Sequence, residues 1–409
     1  MKNRKALKKW TTLAIAVVSG IAIIISFNAP RQTKAPVEDA AAPESYTPVQ
    51  NAAAPEAFTA ADAPYLTPEG IWKPGYRREA NTSLTVESLP PRKFKVVDMH
   101  EHVEGPAEAV QLLEAMDRLG IQRAALLGAS RYTYTLNPKW GFEGYLENNE
   151  QILTLAKEYP DRFLAFPTLF PLDEGNAARV EDYANRGAAG LKLYLGHGAR
   201  TGKEPFHLMP LDDPRMKEIY AWCEKNQFPI IFHINLLLYY DEFIRVMEEF
   251  PNLRVSLPHF GLFKNDAVRL ERLGWLLGRY PGLYMDVSFG WYEFHVQGFE
   301  KMAAWPSRFR DFFSRHADKI MFGSDMVLEP SKDEAYIMNT LRSYLQVLEM
   351  EEFRFFYNPD WPLRGLSLEE GVLRQIYEET PLKFLDRSRP PQAVTPLEPD
   401  SPYWKNPSQ

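Results

Sequence analysis

One cysteine, Cys223, stands among 409 residues. A single thiol cannot form an intramolecular disulfide or build a Cys-based metal cage, and in the helical-looking run 216–225 it reads as buried packing. Basic excess is lacking too. With a formal net charge of −7 and a pI near 5.8, the chain has no field for releasing phosphate counterions, which argues against a nucleic-acid partner and for a small-molecule substrate. Before residue 90 there is one long uncharged apolar run, residues 11–27, and it follows Lys2, Arg4, Lys5, Lys8 and Lys9 in the order of an export signal or membrane anchor. At helical rise it covers about 26 Å, the short end for a bilayer span. Ala29 is followed by Pro30, which obstructs cleavage, so residues 1–28 read as an uncleaved signal anchor, with a cleaved signal peptide as the alternative. Both readings export the rest of the chain: membrane-anchored with its catalytic domain outside the cytoplasm if uncleaved, secreted or periplasmic if cleaved. Residues 29–92 read as an Ala/Pro-rich linker and lead-in that cannot pack a core.

What is present beyond residue 93 belongs to a globular domain, since 45% hydrophobic and 13% aromatic residues supply a sizeable core. Short β-rich runs alternate with amphipathic stretches, the pattern of βα units around parallel strands. Eight strand candidates follow one another at 94–99, 123–127, 163–168, 190–194, 229–234, 254–258, 283–287 and 320–322. Between them, stretches such as 107–119, 146–159, 214–226, 241–250, 267–280 and 306–316 carry apolar residues three and four apart. Tyr159-Pro160, Phe250-Pro251 and Tyr280-Pro281 put proline where a helix must stop. A doubly wound sheet shares this alternation. Polar, ligand-type residues recur at the strands' C-terminal ends, however, and that rim is where barrels carry chemistry, so the expectation is a (β/α)₈ TIM-like barrel over 93–388, followed by a Pro-rich tail, 389–409.

The sharpest motif is Val96-Val97-Asp98-Met99-His100-Glu101-His102, an apolar strand running into two histidines on one face. Two imidazoles at fixed separation suit a divalent metal. His233 closes the apolar run 230–233, His259 follows 255–258, and Asp325 closes Met321-Phe322-Gly323-Ser324-Asp325, so several strand ends converge on one site. With these residues the chain resembles the metal-dependent amidohydrolase superfamily, and within it the amidohydrolase-related branch that contains aminocarboxymuconate-semialdehyde decarboxylase. The resemblance runs from about Lys93 to Arg387 and includes a similar closing helix at 371–385, with Thr380-Pro381 in place of the usual Asn-Ala pair.

The resemblance implies one divalent ion held by His100, His102, His233 and Asp325, zinc by default, with Mn²⁺ or Fe²⁺ also suited to such a shell. It implies catalytic roles for Asp325, as proton acceptor, and His259, near the water or the developing oxyanion. The expected reaction is hydrolysis of an ester, lactone or amide, with non-oxidative decarboxylation of an unsaturated or aromatic carboxylic acid as the alternative. Substrate-contact candidates are Arg131 after the second strand, Lys192 and Tyr194 in the fourth, and His197 in the glycine-flanked loop that follows. Lys192 has two other readings, a carboxylated bridge between two metals or a structural ion pair. Asp286 reads as support for the site through hydrogen bonds. His207, His295 and His316 read as surface or packing residues. The aromatic-rich insertion 353–368 reads as a cap, a partner surface or buried packing, and a homodimer is expected from the resemblance.

Overall fold

The computed structural model describes residue 89 and residues 91–407 except 136, 196–208, 263–266, 291, 356–357 and 393. The segment 1–28, most of the lead-in and His197 lie outside the described residues. Among those described, no helix is long and apolar enough to cross a membrane.

Eight parallel strand positions form a closed ring: β1 (Val96–Val103), β2 (Ile121–Leu127), β3 (Phe163–Phe166), β4 (Leu191–Leu195), β5 (Ile230–Ile234), β6 (Val255–Leu257), β7 (Leu283–Asp286) and β8 (Ile320–Met321). Hydrogen-bonded ladders run β3-β2-β1 and β4-β5-β6-β7-β8. A bridge between Thr168 and Lys192 joins β3 to β4, and the bond from Met99 N to Phe322 O (2.9 Å) closes β8 on β1. A short β9 (Met326–Leu328) then continues the eighth unit beside the end of β1. This is a (β/α)₈ barrel, and closure leaves the ring no unpaired edge.

Side-chain alternation builds two cores. Leu191, Leu193, Ile230, Phe232, Leu283 and Met285 face outward into a large cluster shared with the surrounding helices. Val97, Met99, Ala125, Leu127, Phe166, Ile231, Tyr284 and Met321 face inward and fill the barrel. Around the ring lie α1 (Pro106–Leu119), α2 (Arg131–Thr135), α3 (Tyr145–Glu158), α4 (Asn176–Asn185), α5 (Pro214–Lys225), α6 (Leu236–Glu249), α7 (Ala267–Arg279), α8 (Tyr292–Ala304), α9 (Pro306–Arg315), α10 (Glu334–Glu349), α11 (Glu370–Arg374) and α12 (Thr380–Leu385). Proline opens α1, α5 and α9, where its missing N–H costs nothing, and Asp213 caps α5 by accepting from Arg215 N.

The insertion forms an antiparallel hairpin, β10 (Glu352–Phe355) with β11 (Asn358–Arg364), and buries Phe353 edge-on against Phe299. At the barrel's N-terminal mouth, Phe384 of α12 packs against Tyr284, 5.2 Å between rings. Buried Arg254 fastens this closing segment by donating to the carbonyls of Lys383, Phe384, Asp386 and Arg389. The tail then returns across the helices, where Tyr403 stacks on Trp275 at 3.9 Å.

Close approach demands glycine at position 190, just ahead of β4. A Cβ there would stand 2.3 Å from Phe166 Cε1 and 2.4 Å from Pro229 O, and the second neighbour is backbone that cannot rotate aside. Gly190→Ala is therefore expected to destabilise the barrel by about 2 kcal/mol. Chemical denaturation of the full chain checks this, and an unchanged midpoint would contradict it.

Candidate metal centre

The inward positions at the C-terminal ends of the strands carry the polar residues. From β1 come His100 and His102, from β4 Lys192 and Tyr194, from β5 His233, from the turn after β6 His259, from β7 Asp286, and from the turn after β8 Asp325. All eight are at least nine-tenths buried. Tight backbone sets the last two loops. His259, Phe260, Gly261 and Leu262 all have positive φ, as does Asp325 at 51°. Left-handed geometry costs a non-glycine residue roughly 1–2 kcal/mol, so these turns are held by their surroundings. Asp286 Oδ1 accepts from His259 N (3.2 Å), and Asp325 N donates to His100 O (2.7 Å).

Ligand-type atoms of His100, His102 and Asp325 all lie within 4.8 Å of one another. Each histidine is oriented from behind. His100 Nδ1 donates to Asp286 Oδ2 (2.8 Å), and His102 Nδ1 donates to Leu127 O (2.9 Å), a carbonyl that can only accept. Both Nε2 atoms therefore point at Asp325 Oδ1, at 3.1 and 3.3 Å. His259 repeats the arrangement. Ser288 Oγ lies 2.9 Å from its Nδ1 and donates in turn to Asp286, while Nε2 stands 3.4 Å from Asp325 Oδ2.

Burial pushes the His102 imidazole down to about 4, so it is neutral and its Nε2 is a lone pair. Burial alone would raise the Asp325 carboxyl, but His100, His102 and His259 together hold it well below the usual carboxylate range. The His102 lone pair thus faces an ionised carboxylate, while Asp325 and Asp286 raise the His100 imidazole against its burial. Two imidazoles and a carboxylate with their ligand atoms this close are a donor set that fits a divalent cation. Lys192 Nζ lies 3.2 Å from His100 Nε2, with burial lowering its ammonium to about 8 against the pull of Asp325 and Asp286.

The remaining sequence candidates fall in different places. His233 stands at the same rim, its ring 4.9 Å from that of His259 and 6.3 Å from Tyr194, but outside the three-residue group. Tyr194 stacks 6.4 Å from His102, donates to Gly128 O, and has the Lys192 ammonium 4.7 Å from its ring centre. Arg131 lies at the surface, paired with Glu143 and set over Trp140. His295 is buried against Phe299 and Tyr344. Sequence reasoning missed the pair Asp98 and Glu101. Asp98 Oδ1 accepts from His100 N and Ser324 N, while Glu101 accepts from the Ser324 hydroxyl and Met326 N. Burial, and next to it the neighbouring Asp98, push the Glu101 carboxyl well above the usual carboxylate range. Two carboxylic residues alternating with two histidines in one wholly buried strand were the available signal. Gly290 was missed as well. A Cβ there would meet Asp325 Oδ2 at 2.5 Å.

The amidohydrolase family profile matches residues 97–387, more than half of the chain. This chain belongs to the amidohydrolase family. As a member it is an enzyme, with a divalent-metal site formed by His100, His102 and Asp325. No curated protein matches it. Among solved structures, this amidohydrolase is similar to a probable 2-pyrone-4,6-dicarboxylic acid hydrolase from Acinetobacter baumannii, with 14% identity over 71% of this chain and 98% of that one and a TM-score of 0.49. It is also similar to a 5-carboxyvanillate decarboxylase from Sphingomonas paucimobilis (13% identity, 72% and 99% covered, TM-score 0.46) and a 2,6-dihydroxybenzoate decarboxylase from Rhizobium (14%, 71% and 98%, 0.42).

Asp286 is the residue on which the orientation of both His100 and His259 depends. Asp286→Asn is expected to weaken metal affinity about 10- to 100-fold by loosening the ligand it aims. Competition with a chromogenic chelator measures this, and wild-type affinity in the variant would refute the role.

Proposed function

We propose that this amidohydrolase is a metal-dependent hydrolase that cleaves an ester, lactone or amide bond in a small-molecule substrate. The observation that carries the reading is the convergence of His100, His102 and Asp325 within 4.8 Å, with the His259 Nε2 3.4 Å from the same carboxylate. Zinc is the ion we assign to this nitrogen and oxygen shell, with His233 as the fourth ligand from the end of β5; manganese and iron(II) suit the same donors. Such an ion, when bound, supplies Lewis acidity and lowers the pKa of a water toward about 7.

The chain's own part is proton handling and positioning. Asp325 stays ionised among three imidazoles and so can accept a proton at a carboxylate oxygen. His259, with Nδ1 committed to Ser288, offers Nε2 beside that oxygen as a general acid or base. Lys192 and Tyr194, buried next to His100 and His102, are suited to hold a polar group of the substrate. An enzyme placed outside the cytoplasm meets esters, lactones and amides more readily than intermediates of a cytosolic pathway, which favours hydrolysis over decarboxylation.

Detergent-solubilised full-length protein offered esters, lactones, amides and unsaturated aromatic acids should release acid from the first three and no CO₂ from the last. CO₂ release alone overturns hydrolysis. Within the same assay, His259→Ala should lower kcat by about 10²-fold with metal content retained. His233→Ala should lose metal and stability together. Equal metal loss in both variants would move His259 into the ligand shell.

The location is a proposal of its own, resting on the basic start and apolar run of residues 1–28. An anchored enzyme sediments with membranes, resists carbonate extraction and exposes its barrel to external protease. A soluble mature protein beginning beyond Phe27 would show a cleaved signal peptide instead.

A further inference from the structure

At the barrel end away from the metal centre, the N-terminal ends of β6, β7 and β8 and the turn after α12 surround a cavity of about 930 Å³. That volume falls in the range of small-molecule sites, roughly 300–1,000 Å³. Its lining includes Arg254, Arg315, Lys319, Lys383 and Arg389 but only two carboxylates, Asp318 and Asp386. The positive excess runs against a chain whose net charge is −7.

Three of these cations have carboxylate partners: Arg315 pairs with Asp311 at 2.6 Å, Lys383 with Asp318 at 3.3 Å and Arg389 with Asp386 at 3.7 Å. The two deeper ones make no ion pair among the described residues, and Asp386 and Asp318 act on them only through space. Arg254, 3% exposed, spends its donors on four main-chain carbonyls, and Lys319 Nζ donates to Pro281 O at 2.6 Å. Carbonyl oxygens satisfy hydrogen bonds without cancelling charge, so Arg254 and the half-buried Lys319 bring to one cavity two positive charges that the nearby Asp386 and Asp318 offset only in part. Burial and the nearby Lys383 hold the Lys319 ammonium down to about 8 against the pull of Asp318. Tyr284 supplies an aromatic floor between the lysines, its ring centre 5.0 Å from Lys319 Nζ and 6.0 Å from Lys383 Nζ.

We propose that this cavity is a second binding site, distinct from the metal centre, that takes a phosphate-type oxyanion, free or carried on a small organic group. Lys319 is its principal donor, Lys383 and Arg389 flank the entrance, and Arg254 contributes its field from behind while fastening the closing segment.

Calorimetric titration of the full-length protein in detergent, at fixed ionic strength with chloride as the background anion, tests it. Inorganic phosphate is the probe in one arm and phenyl phosphate in the other. Saturable binding is expected in at least one arm, and tighter binding of phenyl phosphate would identify an organic phosphate as the better occupant. Lys319→Gln should weaken it about tenfold or more, the loss of one charge-assisted hydrogen bond, with metal content unchanged. Lys383→Gln, at a largely exposed position that tolerates change, should weaken it too and guards against misfolding of the first variant. No saturation at millimolar probe in either arm overturns the site. So does binding that survives both lysine substitutions and vanishes in Asp325→Asn, since that result assigns the anion to the metal centre.

Discussion

The seam between β8 and β1 is where the barrel closes, and its hydrogen bonds are made inside the metal centre. Met99 N reaches Phe322 O across the seam, and Asp325 N reaches His100 O at 2.7 Å. The carboxylate and the histidine it faces are thus fixed to each other by main chain before any ion contributes. Asp98 and Glu101 add side-chain bonds across the same seam, to Ser324 and to Met326 N. Slippage of β8 along β1 would break the ring and the site together. Metal affinity and barrel closure are in that sense one constraint, with ligand geometry supported by hydrogen bonds of the barrel wall itself.

Burying this much charge is costly, and the arrangement shows how the cost is contained. Asp286 serves three neighbours at once: the ring of His100, the backbone of His259 and the Ser288 hydroxyl. One anion thereby orients two imidazoles, and no second buried carboxylate is needed behind His259. His102 relies instead on a neutral carbonyl, which suits an imidazole that burial keeps uncharged. The left-handed turns at His259 and Asp325 are strained backbone held in place by these bonds, the kind of local cost that persists at functional sites.

Much of this was legible in the sequence. The β-rich runs fell within two residues of the observed strands everywhere except β1, because a strand buried on both faces is an uninterrupted apolar stretch bounded by proline, glycine and charge. His100, His102 and Asp325 could be found because each ends or follows such a stretch. Relations between distant residues could not be read. Nothing local to Arg254 says that it will bind four carbonyls more than 125 positions away, and nothing local to Gly290 says that Asp325 will need its missing side chain. Arg131 shows the opposite limit: it follows a strand as expected, but Glu143 and Trp140 hold it at the surface.

The strand β1 itself was read too short, and the reason is physical. Val97 and Met99 face the barrel interior, so strict alternation would send Glu101 inward and put His100 and His102 among the helices outside. Pairing with β2 instead slips between Asp98 and Glu101. A bulge of this kind adds one residue and reverses which face follows. Both histidines then turn toward the axis, where Lys192 and Asp325 meet them, while Glu101 turns into the seam toward Ser324. The motif His-x-His guarantees only that its two rings share a face. Which face they share is decided by the bulge, and the bulge is held by contacts with β2 and β9 that no reading of seven consecutive residues contains.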